Sequence, residues 1–436
     1  MISQQRKRRR GVILTSEGLQ KLFAAKSEAE SRENFDKRFN LEALSIRTGL
    51  NPDTLMKVFS CKAKVDKQSL IRCYMAFDLE LEASDYQYCL GGGSNGRIQN
   101  STLKQDWGDA PDISIFCGRT MELATLEKWL IDENCRLVTL LGMGGMGKTW
   151  LSVKLAQQTQ SHFDFLIWRS LHNAPPIEDV LQEIIQLLAN EWETDIPPTV
   201  DGKISRLIHY LKRARCLLIL DNVESILQDA SVKEDNFGHY CQGYEEYGEF
   251  FKRIGETQHQ SCLILTSREK PKGILQMTGE YLPVRVLQIK GLQVKQIQEI
   301  FKFKGTHKGS LSDWHKLVER YMGNPLALNI ASRIIQNLFD GSIKEFLNHN
   351  AIVFGEIKHL LEQHFERLSS TEKNILKWLG LHEKTVSLSE LREQISPQVS
   401  SQKLLEALES LHERSLTEKK KCSFCLYSLV KEYVNS

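Results

Sequence analysis

The 436-residue chain has no run of 18 or more apolar residues, so no helix is expected to span a membrane. It also lacks a signal-peptide core: after the charged run Arg6–Arg10 only Gly11-Val12-Ile13-Leu14 intervene before polar residues return. A cytoplasmic location is therefore expected. No disulfide framework is visible. The ten cysteines are scattered, and Cys135, Cys216 and Cys262 lie in or beside apolar runs, as packed, reduced thiols do. Cys422 and Cys425 make a single CxxC with no second pair and no histidine pair nearby, so no metal site is expected there. His359 and His364 are five residues apart, which puts them on different faces of a helix and makes them a poor metal pair. Glu245-Glu246 and the charges around Asp36 read as solvated helix faces. No Ser-His-Asp or Cys-His arrangement and no internal repeat can be read.

Net charge is only +2, which by itself selects no partner. Its distribution is uneven. Residues 1–100 carry 17 Lys and Arg against 12 Asp and Glu, and the remainder carries 40 against 43. Any affinity for nucleic acid thus belongs to the first hundred residues.

The length suggests roughly three domains of about 150 residues, and the pattern along the chain divides it further. Residues 1–15 form a basic tail. Residues 16–86 read as short helices, beginning with Ser16-Glu17 ahead of Leu19, Leu22 and Phe23. Within them Leu41–Phe59 reads as helix, turn, helix: Gly49 suits a left-handed turn, Asn51 a cap and Pro52 the first helical position. Residues 87–112, with Gly91–Gly96, read as a linker. From 113 to 291 apolar runs alternate with helical stretches, the signature of a parallel α/β sheet, with strands expected at Leu137–Leu141, Phe165–Trp168, Cys216–Leu220, Cys262–Thr266 and Val284–Gln288. The rest is mainly helical, divided into 292–352 and 353–436.

Gly142-Met-Gly-Gly-Met-Gly-Lys-Thr149 matches the phosphate loop GxxxxGK[ST]. Gly142, Gly144, Gly145 and Gly147 let the backbone wrap closely, so N–H groups, that of Met146 among them, can point at a phosphate. Lys148 reaches the β- and γ-phosphates, and the Thr149 hydroxyl is expected to ligate Mg²⁺ at the start of the following helix. The apolar strand Cys216–Leu220 ends in Asp221, a carboxylate placed to hold the Mg²⁺ shell. Cys262–Thr266 leads to Ser267 and Arg268 at the carboxyl end of another strand, where ligands of open α/β sheets bind; Arg268 is a candidate sensor of the terminal phosphate.

With these residues in place, about residues 113–436 resemble an NB-ARC protein of the STAND class of P-loop NTPases. Phe116-Cys-Gly-Arg119-Thr-Met-Glu122-Leu123 is similar to the family's leading hhGRxxEL motif, and Gly323-Asn-Pro325-Leu-Ala327 resembles its GLPLA motif. The resemblance implies a five-stranded P-loop nucleotide domain, a helical domain and a C-terminal winged helix, closed around ADP and opened by ATP to self-associate in signal transduction. It further implies that Arg119 contacts the nucleotide, that Pro325 packs on adenine, and that hydrolysis is at most a slow reset. Three positions depart from the family. Asn222 stands where a second acid usually follows Asp221, and an amide cannot act as a general base; Glu224 is the candidate substitute. Trp150 follows Thr149 where a small or hydroxyl residue is usual, which keeps a backbone N–H but loses a side-chain contact to the α-phosphate. The MHD motif aligns with Leu426-Tyr427-Ser428, so the phosphate-reading histidine is absent and Tyr427 is left as a candidate donor. Relatives commonly continue into WD40 or TPR repeats; the sensor is then either another polypeptide or part of a longer product.

Residues 16–86 resemble helix-turn-helix units found ahead of such modules in bacteria. In one reading they dock an effector protein. In the other the helix around Asp53–Ser60 enters a DNA major groove while the basic tail contacts phosphates. That helix offers Asp53, Thr54, Lys57 and Ser60, a single cation among few base-reading groups.

Overall fold

The computed structural model describes residues 12–33, 39, 41–60, 65–88, 104–189, 196–228, 238–349, 353, 355–382, 385–395, 399–421 and 423–435. The basic tail, the Gly91–Gly96 stretch and Cys422 lie outside them. The chain forms two compact units, residues 1–100 and 101–436.

In the first unit the helices Ser16–Glu33, Leu41–Thr48, Pro52–Ser60 and Lys67–Met75 surround a core of Leu22, Leu44, Leu55, Leu70, Cys73 and Tyr74. The turn inside Leu41–Phe59 is built by local chemistry. Gly49 takes φ 66° and its N–H donates to the Ser45 carbonyl, and the Asn51 side chain accepts from the Thr54 N–H at 2.8 Å. The unit is not all-α, however. Strand β1 (Val12–Leu14) pairs antiparallel with β2 (Tyr86–Tyr88), joining the two ends of the helical set. Three-residue strands are too short to impose a period of two on the sequence, and their partners lie over 70 positions apart.

The second unit is organised by a parallel sheet. Strands β3 (Lys104–Asp106), β4 (Leu137–Leu141), β5 (Phe165–Ser170), β6 (Cys216–Asp221), β7 (Cys262–Ser267) and β8 (Val284–Gln288) lie in the order β3-β5-β6-β7-β4-β8. The central strands β4, β6 and β7 are buried throughout, as strands covered on both faces must be. Alternate side chains feed two cores: Val138, Leu140, Leu217 and Ile219 enter one, and Leu137, Cys216, Leu218 and Leu220 the other. Helices Thr120–Ile131 and Lys148–Thr159 supply residues to the first core, and Ile177–Leu188, Val200–Arg213 and Glu245–Glu256 to the second. The sheet has six strands where five are expected, because β3 falls inside the expected linker. Its Lys-Gln-Asp sequence is polar, as suits an edge strand, and carries no hydrophobic signal.

Helices Val294–Lys302, Leu311–Arg320, Pro325–Leu338 and Ile343–Asn348 share a separate core that includes Phe301, Trp314, Leu317 and Ile335. Beyond them lie helices Gly355–Glu366, Ser370–Gly380, Leu388–Ile395, Ser401–Glu413 and Ser428–Asn435, with a small antiparallel sheet of β9 (Val386–Ser387), β10 (Thr417–Lys420) and β11 (Ser423–Leu426) in the order β10-β11-β9. This terminal region is divided between neighbours. Ile357, Leu361 and Leu429 join the helical core, while Ile375, Leu376, Leu408 and Leu411 join the first sheet core. No described helix is long and apolar enough to cross a membrane.

Candidate functional site

The phosphate loop leaves β4 at Leu141 and enters the helix Lys148–Thr159. Gly145 and Gly147 take φ 78° and 86°, a region costly for residues with a side chain, which explains glycine at both places. Lys148 is buried, and its ammonium donates to the carbonyls of Gly142 at 2.8 Å and Met143 at 3.2 Å. Its pKa is lowered to about 8, chiefly by burial; Glu224 and Asp221 pull it up and the Arg268 charge pulls it down.

On the β6 side of the loop, the Thr149 hydroxyl donates to Asp221 at 2.8 Å from Oδ1 and 3.1 Å from Oδ2. Thr266 on β7 donates to the same carboxylate at 2.5 Å, and its oxygen accepts the Asn222 N–H at 3.1 Å. Burial raises the Asp221 pKa, and the two hydroxyls work against that rise. A hydroxyl and a carboxylate in contact form a hard oxygen pair that fits Mg²⁺ when phosphate oxygens and water complete the shell. Among the described residues no three His, Cys, Asp or Glu gather as a metal cluster, so the protein alone does not build a full cage.

Two other sequence candidates meet each other. Arg268 Nε lies 3.0 Å from Glu224 Oε1, and the Arg268 N–H donates to Glu224 Oε2 at 3.3 Å. Arg268 also donates to Gln363 at 3.2 Å. Glu224 is thus engaged by an arginine through both carboxylate oxygens. Arg119 is buried with φ 62°; it donates to the Met146 carbonyl at 2.9 Å and to Glu122 at 2.6 Å, tying the segment ahead of β4 to the loop.

Together these residues border a cavity of about 550 Å³, lined by Arg119, Gly144 to Trp150, Asp221, Asn222, Glu224 and Arg268 and also by Ile115, Leu292, Ile300, Pro325 and Leu326. Gly142 is not in the lining; it serves through the carbonyl that holds Lys148. Tyr427 is not in the lining either. Its half-buried ring packs on the first sheet core, and the charged groups acting on its hydroxyl are Glu418 and Lys420, with Cys425 nearby. It stands just after β11, beside that core.

A different histidine reaches the loop. His364, on the helix Gly355–Glu366, is 2% exposed, and its Nε2 accepts the Gly144 N–H at 2.8 Å. That nitrogen is therefore unprotonated. Burial holds the His364 pKa well below its usual value, reinforced by Arg268, Lys148, Arg414 and Arg367. A Cβ on Gly144 would stand 3.0 Å from His364 Nε2 and 3.2 Å from the Arg268 guanidinium carbon, so a side chain there would press on both. Asn324 adds a second tether, donating to the Gly144 carbonyl at 2.9 Å while capping the helix Pro325–Leu338. Farther along, Glu269 after β7 pairs with Arg367 at 2.5 Å and Arg414 at 3.0 Å, and Arg367 donates to the carbonyls of Glu224 and Leu227 at 3.0 and 3.1 Å. His364, Arg367 and Arg414 belong to no motif read in the sequence, and Asn324 stands inside the Gly323–Ala327 motif without a role assigned to it. A histidine on the apolar face with Leu360 and Leu361 was the available signal, and it more often marks an ordinary core residue.

The NB-ARC domain model matches residues 119–232. A WD repeat-containing protein of Nostoc is 47% identical over 351 residues, covering 78% of this chain and 28% of the relative. A probable disease resistance protein of Arabidopsis thaliana is 22% identical over 346 residues, covering 71% and 34%. The chain thus spans about a third or less of the length of these relatives. Among solved structures, a Walker-type ATPase of Pyrococcus abyssi superposes with a TM-score of 0.50 at 15% identity, covering 74% of this chain and 96% of that one. The chain thus carries an NB-ARC domain over residues 119–232, and within it Arg119, the phosphate loop and Asp221 border one cavity.

Proposed function

We propose that this chain is a signalling switch, closed with ADP and opened by ATP to self-associate, and that His364 replaces the missing motif histidine as the closing group. The observation that carries the reading is the hydrogen bond from the Gly144 N–H to His364. An N–H of the loop has one hydrogen to give. A phosphate oxygen at that N–H and the imidazole of His364 compete for it, so lengthening the phosphate chain toward Gly144 favours departure of the helix Gly355–Glu366. Arg367 and Arg414 hold the same terminal region, proposed as the winged helix, to Glu269, the residue after Arg268. Thr149 and Asp221 are proposed to hold Mg²⁺, and Arg119 and Pro325 to flank the nucleotide. Slow hydrolysis accords with Asn222 after Asp221 and with the engagement of Glu224 by Arg268.

For the N-terminal unit we infer a protein effector rather than DNA. Ile46 and Met75 are 86% and 68% exposed, which suits an apolar contact more than a phosphate backbone.

The test is the nucleotide content of purified protein, identified after denaturation, with Lys148→Ala as control. Near-stoichiometric ADP in the wild type and none in the variant is the expected result. Protein that arrives empty and binds neither ADP nor ATP would sink the switch reading. Adding ATP with Mg²⁺ should then raise the mass seen by light scattering, and His364→Ala should do so at lower ATP.

A further inference from the structure

Asn329 lines the cavity together with Ile300, Lys304, Pro325, Leu326 and the half-exposed indole of Trp150. It follows Pro325 by four residues on the helix Pro325–Leu338, which places both on one helical face. Its immediate neighbours Leu328 and Ile330 are buried apolar residues of the helical core. Asn329 Oδ1 is buried and has no hydrogen-bond donor. An unmatched buried acceptor is costly, and an incoming N–H that meets it is favoured accordingly. The amide is half-buried and turns about its own torsions, so it can present that oxygen to the cavity.

We infer that Asn329 reads the base of the bound nucleotide by accepting a hydrogen bond from the exocyclic amine of adenine, with Pro325 and Trp150 bounding the ring. The inference rests on the nucleotide-binding reading above and names the residue that selects the base. An asparagine amide sets an acceptor beside a donor, the complement of the adenine amine and its neighbouring ring nitrogen. Hypoxanthine carries a carbonyl oxygen in place of that amine. Against it the amide opposes acceptor to acceptor. Turning the amide over satisfies the carbonyl but then sets Oδ1 against N7, the ring nitrogen of the amide's adenine pairing and an acceptor in both bases. Either way one polar contact is lost inside an apolar enclosure, so discrimination exceeds what shape alone supplies.

The experiment titrates the full chain, stripped of nucleotide, with ADP and with inosine diphosphate by calorimetry. Wild type should bind ADP roughly tenfold or more tightly, the equivalent of one unmatched hydrogen bond. Asn329→Leu should bring the ratio close to one by weakening ADP. Asn329→Asp keeps the acceptor and should keep the preference, which separates base reading from damage to the fold. An unchanged ratio in Asn329→Leu, or a ratio near one in Asn329→Asp, overturns the role of Asn329 and leaves the switch reading intact. A wild type that binds neither nucleotide overturns the nucleotide reading itself.

Discussion

The two sides of the phosphate loop are built differently. On the β6 side, Thr149, Asp221 and Thr266 stand at or beside the carboxyl ends of neighbouring parallel strands, and their contacts follow once the sheet is assembled. On the Gly144 side the partners are Asn324 and His364, 180 and 220 residues along the chain and carried by other helices. The first side holds chemistry in place whatever the terminal helices do. The second exists only while those helices are docked. A switch needs both kinds of construction: a rigid ligand end and a contact that can be given up.

The largest break in this arrangement should come from Glu269→Ala. Glu269, Arg367 and Arg414 hold the terminal helices to the sheet, and removing the acid leaves Arg414 with the more distant Glu372 and Arg367 with two carbonyls. Loss of one partner from a buried ion pair costs about 3–5 kcal/mol, so the thermal unfolding midpoint should drop and helix Gly355–Glu366 should become accessible to protease. A variant with the wild-type midpoint would mean that this cluster does not hold the closed form.

Lys148→Ala addresses the rigid side. Loss of one charge-assisted contact to phosphate should weaken ADP by roughly 100-fold, with little change in the protease pattern of the terminal helices. A weakening below about fivefold would place the phosphates elsewhere.

Acidity should separate the two sides by about one order of magnitude. His364 has its pKa depressed in the closed form, so the open form binds more protons as pH falls below about 6.5. Closure therefore loses up to about 1.4 kcal/mol per pH unit below that value, and ATP exchange should be about tenfold faster at pH 5.5 than at 7.5. His364→Gln should remove that slope. A slope that persists in the variant assigns it to another group.

Lys148 should produce the smaller effect, in the opposite direction of pH. Its pKa lies at about 8 in the folded protein, below its ordinary value, so the ammonium that phosphate requires is lost as pH rises through that point. ADP affinity should fall by up to about tenfold between pH 8 and 9, without any change in closure. A flat profile there would show that Lys148 keeps its proton through that range.

Much of this was legible because strands and phosphate loops are local. The apolar runs marked β4 to β8, and the glycines of the loop sit where positive φ is needed. Polar β3 and the β1–β2 pair escaped because three residues carry too little pattern. Tyr427 drew notice through its place in a motif, yet its ring turns to the core, while His364, set aside as one of two mismatched histidines, reaches Gly144.

By itself, then, the sequence determined the phosphate loop, its acid partner on β6 and the parallel sheet that carries them, since backbone conformation and strand burial depend on neighbours within a few residues. Only the tertiary structure decided what covers the loop. His364, Asn324, Arg367 and Arg414 act through contacts across 98 to 220 residues of chain, and such contacts exist only after separately patterned segments have packed on one another.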